Sequence, residues 1–182
     1  MAAKLEHFAY YLEGNLYALH SELNYGKYKH QGYRKFVATD NKRREVSVAT
    51  IKDRVVHRLL YGYLVDLYDE TFIFDLWSCR KEKGLVGAIE RTQALLAKYP
   101  RHYVWRSDIK KFFDRVDQQR LLEIISLKVV DPKAIHLCRE ITGTYSVRNR
   151  ERERERERET LRRPKGIPIG NLTSQIFANI YL

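Results

Sequence analysis

The sequence predicts an α/β chain that combines amphipathic helices with short strands, one of which carries the chemistry at its end. Three observations point there. Apolar residues recur at spacings of three and four over 5–23 and 53–67, the period of a helix with one buried face. Two short alternating stretches flank a polar turn at 35–49. A third alternating stretch, 103–109, delivers an aspartate to its end just before a helical pattern.

The first element is an amphipathic helix, with Leu5, Phe8, Leu12, Leu16, Leu19 and Leu23 on one side, ending near Asn24-Tyr25-Gly26. Its role is packing. Lys35–Thr39 and Arg44–Ala49 read as strands joined at Asp40-Asn41-Lys42-Arg43, a hairpin with a basic tip. Asp53 reads as the cap of the next helix, with Val55, Val56, Leu59, Leu60, Tyr63, Leu64 and Leu67 as its apolar stripe. His57 lies beside that stripe and reads as structural. An open loop carrying Arg80, Lys81 and Lys83 ends at Gly84. A helix from about Leu85 to Lys98 then stops at Tyr99-Pro100, because proline cannot continue it.

In the third stretch, Tyr103, Trp105, Ser107 and Ile109 point to one side of a strand, and Val104, Arg106 and Asp108 to the other. The aromatic side wants a core. A carboxylate at a strand end is one way to hold a divalent metal over a phosphate, and the plainer alternative pairs Asp108 with Lys110 or Lys111. Asp117 caps the helical run QQRLLEIISL. Asp131 caps another, with Pro132 at its first position and Gly143 past its end. Arg150–Glu159 alternates arginine with glutamate and has no apolar anchor, so it reads as an exposed, mobile insertion without a catalytic role. Gly166–Gly170 is a rigid turn before a helix starting near Asn171 or Leu172, with Ile176, Phe177, Ile180 and Tyr181 as its buried face.

Composition narrows the function classes. The 182 residues are 44% hydrophobic and 31% charged, with a net charge of +11. That surplus favours a polyanion. A membrane surface is the weaker option, since the cations are not gathered on one amphipathic helix. No apolar run is long enough to span a bilayer, and the N-terminus lacks a signal peptide's apolar stretch. Cys79 and Cys138 are too few and too far apart for a metal knuckle or disulfide framework, which suggests reduced thiols in the cytoplasm. The 13 tyrosines, interleaved with cations, suit stacked bases, although most are expected in the core or at its boundary.

Two strings, YVWRSDIKKFFDRVD at 103–117 and KGIPIGNLTSQIFANIYL at 165–182, together resemble motifs A and B of reverse transcriptases. IKDRVVH at 51–57 resembles the D-R-V-V-H block of the bacterial members, and ordered matches run from about Tyr28 to the last residue. The resemblance implies a right-hand polymerase fold. Residues 1–100 would be helical fingers with a β-hairpin. Residues 101–182 would be an incomplete ferredoxin-like palm, with the insertion at about 150–159 and no thumb.

The resemblance further implies an RNA-directed DNA polymerase, adding deoxynucleotides to a DNA or RNA primer on an RNA template with Mg²⁺ or Mn²⁺. Asp108 would be the catalytic carboxylate bridging both ions, joined by the Ile109 carbonyl. Phe113 resembles the aromatic gate that fills the space of a ribose 2′-hydroxyl. Lys42 and Arg44 would clamp the triphosphate, and Arg80, Lys81 and Lys83 would track the template backbone. Gly170 would let backbone approach the nascent base pair. Most reverse transcriptases read Q-G-x-x-x-S-P here, whereas this chain has Ile169 before the glycine and Gln175 in place of the proline. That resembles the error-prone enzymes of diversity-generating retroelements. It places Ile169 and Gln175 at the nucleotide and adds a small basic accessory protein to the expected partners. The paired aspartates of the family's next block are not found in this sequence, so the chain alone is expected not to polymerise. The rival expectation is a non-enzymatic basic RNA-binding module on the same fold.

Overall fold

The computed structural model describes residues 2–39, 43–145 and 164–182; Lys42 and the Arg–Glu tract fall outside the described residues. In order, these form α1 (Ala2–Tyr10), α2 (Leu12–Asn24), β1 (Tyr33–Thr39), β2 (Arg43–Ala49), α3 (Ile51–Tyr68), α4 (Leu85–Lys98), α5 (Phe112–Arg115), α6 (Gln118–Ser126), α7 (Pro132–Gly143) and α8 (Leu172–Tyr181). The mixture is α/β, and β1 and β2 make the one sheet among the described residues. They pair antiparallel, with Tyr33 opposite Ala49 and Thr39 opposite Arg43.

The core lies where α3, α6, α7 and α8 meet. Val56, Leu60 and Leu64 of α3 pack with Leu121 and Ile125 of α6, Ile141 of α7, and Ile176 and Phe177 of α8. These residues recur at helical spacing, so each helix turns one stripe inward. Burying such side chains contributes roughly 1.5–3 kcal/mol each. The caps are local. Asp117 accepts from the Arg120 N–H at 3.0 Å and Asp131 from the Lys133 N–H at 2.8 Å, with Pro132 opening α7. Gly143 ends α7 from within rather than following it.

Four expectations are corrected. The single N-terminal helix is broken at Tyr11 (φ −105°, ψ 32°), and only Leu19 of its stripe is fully buried, because only the last turns of α2 reach the core. Asp53 is not the cap of α3; the Thr50 hydroxyl accepts the Asp53 N–H at 3.3 Å. Residues 103–109 form no strand. A strand needs a paired neighbour, the described sheet has none beside this segment, and Tyr103 and Trp105 stand 104% and 86% exposed instead of facing a core. Finally, Tyr10, Tyr11, Tyr17, Tyr25, Tyr63, Tyr99 and Tyr103 are exposed, so more than half of the tyrosines lie outside the core.

No helix among the described residues is long and apolar enough to cross a membrane.

Candidate nucleotide and nucleic-acid site

The site is assembled by three chain segments that hold one another through backbone. The stretch after Lys111 runs beside the stretch before Gly170: Ile167 donates to the Phe113 carbonyl at 2.8 Å, Gly166 to Val116 at 2.7 Å, and Gln118 to Pro164 at 3.1 Å. The Gln118 amide is buried and donates to the carbonyls of Tyr145 (2.7 Å) and Gly166 (2.8 Å).

The turn then docks on the hairpin. In an antiparallel pair, alternate residues turn their backbone groups to opposite edges. Ser47 and Ala49 turn theirs away from β1. The Ser47 N–H donates to the Ile169 carbonyl at 2.9 Å, while Asn171 donates to the Ser47 carbonyl at 2.7 Å and accepts from the Ala49 N–H at 3.3 Å. Asn171 precedes α8 but bonds β2 instead of capping its own helix. Gly170 sits at φ +104°, and a Cβ there would meet Val46 Cγ1 at 2.6 Å. Close approach to β2 therefore requires this glycine within the chain itself, whatever else it admits.

Beneath the hairpin, α3 ties in through buried polar groups. His30 Nδ1 accepts from the Gly32 N–H (3.0 Å), so its proton is on Nε2, which donates to His57 Nε2 at 3.1 Å. That leaves the His57 Nδ1–H for the Thr173 hydroxyl at 2.8 Å. Burial, reinforced by His30, pulls the His57 pKa down to about 4, and burial lowers that of His30 as well. Asp53, fully buried, accepts from the Tyr28 hydroxyl (2.7 Å), the Thr50 hydroxyl (2.7 Å) and the Gln31 N–H (3.2 Å). His57 is thus structural, as the sequence suggests.

These contacts leave a cavity of about 1140 Å³ between the hairpin, the segment from Ser107 to Asp114 and the turn before α8. Asp108, Ile109 and Phe113 reach it from one segment, Arg44 from β2 and Ile169 from the turn. Lys35, Arg43, Lys110 and Lys111 add positive charge to the rim; Glu45 and Asp114 add negative charge. Lys35 pairs with Glu45 at 2.7 Å. Asp108 has no ion-pair partner among the described residues, so the plainer reading of a carboxylate locked to Lys110 or Lys111 does not hold there. Lys111 turns the chain with a left-handed backbone (φ 55°, ψ 40°) just before α5. Among the described residues, no three His, Cys, Asp or Glu side chains converge as metal ligands. A divalent ion at Asp108 would find that carboxylate, whereas the Ile109 carbonyl expected beside it accepts the Phe112 N–H at 3.2 Å. The described residues alone do not complete a magnesium site.

The three cations expected on a template lie elsewhere and are engaged. Arg80 binds the Asp69 carboxylate through Nε (2.8 Å) and Nη2 (3.1 Å), and also donates to the carbonyls of Ile73 (3.0 Å) and Asp69 (2.9 Å). The guanidinium accordingly holds the Asp69 carboxyl below its ordinary pKa. Lys83 donates to the Phe74 carbonyl and lies over the rings of Phe74 and Trp77. Lys81 pairs with Asp66 in an exposed bridge. The cause is the loop itself: residues 72–84 form no helix or strand, so their carbonyls need side-chain donors. Gln175 is also absent from the cavity; its amide oxygen accepts from the Cys79 thiol.

Sequence reasoning missed Asn171, Gln118 and Asp114 as site residues. Only an amide side chain at the start of each helix, Asn171 just before α8 and Gln118 as the first residue of α6, could have signalled the first two.

No family model matches the chain. The chain is similar to an uncharacterized 91 kDa protein in a cob intron of Schizosaccharomyces pombe, 25% identical over 142 residues. The match covers 77% of this chain and spans 16% of the length of that relative.

Proposed function

We propose that this chain is the fingers and part of the palm of a reverse transcriptase, most similar to the diversity-generating class. The observation that carries the reading is the shared cavity. Asp108, Ile109, Phe113, Arg44 and Ile169 come from three separate stretches of the sequence and line one space. The cavity exceeds the volume of a usual small-molecule site, which suits a nucleotide together with a template base.

In this reading Arg44 holds the triphosphate of a deoxynucleotide, with Arg43 and Lys35 adding positive charge to the same cavity. Phe113 packs where a 2′-hydroxyl would lie. Ile169 presents an aliphatic surface to the base, which lacks the hydrogen-bonding power to check it. A bound divalent ion supplies charge neutralisation for nucleotidyl transfer, and Asp108 contributes one carboxylate toward it. In this reading the chain binds nucleotide and RNA.

The test is titration of a fluorescent deoxynucleoside triphosphate with Mg²⁺, in the unaltered chain and in Asp108→Ala and Arg44→Ala. Both substitutions should weaken binding about tenfold or more, the scale of one charge-assisted contact. Unchanged affinity in both overturns the polymerase reading. A second reading, a non-enzymatic RNA-binding module, draws support from Tyr103 and Trp105 exposed among Arg101, Arg106 and Lys110. It gains if RNA binding persists while neither substitution affects nucleotide.

A further inference from the structure

The loop from Phe72 to Gly84 is fastened at both ends to its own neighbourhood, by Arg80 to Asp69 and by Lys83 to Phe74. Its middle is fastened differently. The Tyr61 hydroxyl of α3 donates to the Cys79 carbonyl at 2.9 Å, the Asn179 amide of α8 to the Ser78 carbonyl at 2.9 Å, and the Cys79 thiol to Gln175 of α8. Gln175 and Asn179 stand one turn apart and therefore on one helix face. Cys79 lies at φ 55°, a left-handed conformation that only a well-determined surrounding holds in a side-chain-bearing residue. The same helix starts two residues after Gly170. One rigid rod thus joins the cavity turn to the basic loop.

Of the loop cations, Lys81 alone is held by a pair exposed on both sides, with 71% and 67% of the two side chains accessible. Such a pair contributes little and exchanges readily for a phosphate. Arg80 and Lys83 lack that freedom, since each donates to the loop's own backbone, at Ile73 and Phe74.

We propose that Gln175 and Asn179 are positioning residues that clamp the Ser78–Cys79 loop to α8 and so fix Lys81 on the path of a bound RNA strand. The role assigned to RNA rests on the function proposed above; the clamp does not. It also gives Gln175 a task away from the nucleotide.

Two measurements on the 182-residue chain test it. The first is the rate of Cys79 alkylation by a maleimide; Cys138 is fully buried, so the early signal reports Cys79. Gln175→Ala combined with Asn179→Ala should raise that rate about tenfold or more, since both hydrogen bonds from α8 to the loop are lost, with the thermal midpoint nearly unmoved. Gln175→Glu, which keeps an acceptor, should restore the slow rate when Asn179 is intact. An unchanged rate in the double variant overturns the clamp.

The second is binding of a labelled oligouridine across a salt series. The double variant should lower the slope of log affinity against log salt by about one, as should Lys81→Ala, and combining them should lower it no further. A further drop on combination overturns the coupling to Lys81. Failure of the unaltered chain to bind RNA overturns the proposed function and this role of Lys81 together, while the alkylation rate still decides the clamp.

Discussion

The junction of β2, α3 and α8 and the arm from Tyr103 to Lys111 are both rich in polar and aromatic groups. At the junction, Asp53, His57, Asn171 and Thr173 are buried and each is bonded to a residue distant in sequence. In the arm, Tyr103, Val104, Trp105 and Ile109 are exposed, and Asp108 has no ion-pair partner among the described residues. The difference separates two jobs. The junction's polar groups are satisfied within the fold and fix the hairpin against the turn, whereas the arm's rings stand in solvent and its carboxylate has no ion-pair partner among the described residues.

Substitutions should divide along that line. The largest effect is expected from Asp53→Ala, which strips three donors of a buried acceptor: a loss of about 3 kcal/mol or more in urea unfolding. A loss below about 1 kcal/mol would mean that water already serves those groups. Acid should act on the same place. The folded-state pKa of His57 is depressed, so the unfolded chain takes up the proton first and stability falls as pH drops from about 6.5 towards about 4. A second proton would set N–H against N–H between His30 and His57; Asp53 and Glu140, which favour the charged form of His30, only soften this. The midpoint in urea should shift by the equivalent of roughly 3 kcal/mol, and His57→Gln should flatten the profile.

Gly170→Ala comes next, at about 1–2 kcal/mol, because both its φ and the approach of Val46 resist a side chain. The arm and rim sit at the bottom of the scale. Trp105→Ala should alter stability by less than about 0.5 kcal/mol, and a loss above 1 would place the arm in a packed setting. Arg44→Ala should leave the thermal midpoint alone and weaken binding of a deoxynucleoside triphosphate about tenfold. A lowered midpoint with unchanged nucleotide affinity would transfer Arg44 from the rim to the fold.

Legibility in the sequence follows the same division. The limits of α4, the caps Asp117 and Asp131, the hairpin and the start of α8 depend on neighbours a few residues away, and they could be read directly. Residues 103–109 could not, because alternation states that a strand fits and not that a partner exists. Arg80 and Lys83 look in sequence like phosphate binders. Whether a cation faces outward or its own backbone depends on how many carbonyls the loop leaves unpaired, which charge pattern does not record. Asn171 reads as a helix start, yet its partners Ser47 and Ala49 lie more than 120 residues away. The grouping of Asp108, Phe113, Arg44 and Ile169 was legible only through family resemblance.

Gln118 has a consequence for how this gene can change. One amide and one N–H hold Tyr145, Gly166 and Pro164, the positions on either side of the Arg–Glu repeat. Because the bonds that join the two flanks involve no residue of the repeat, a gain or loss of dipeptide copies removes none of them.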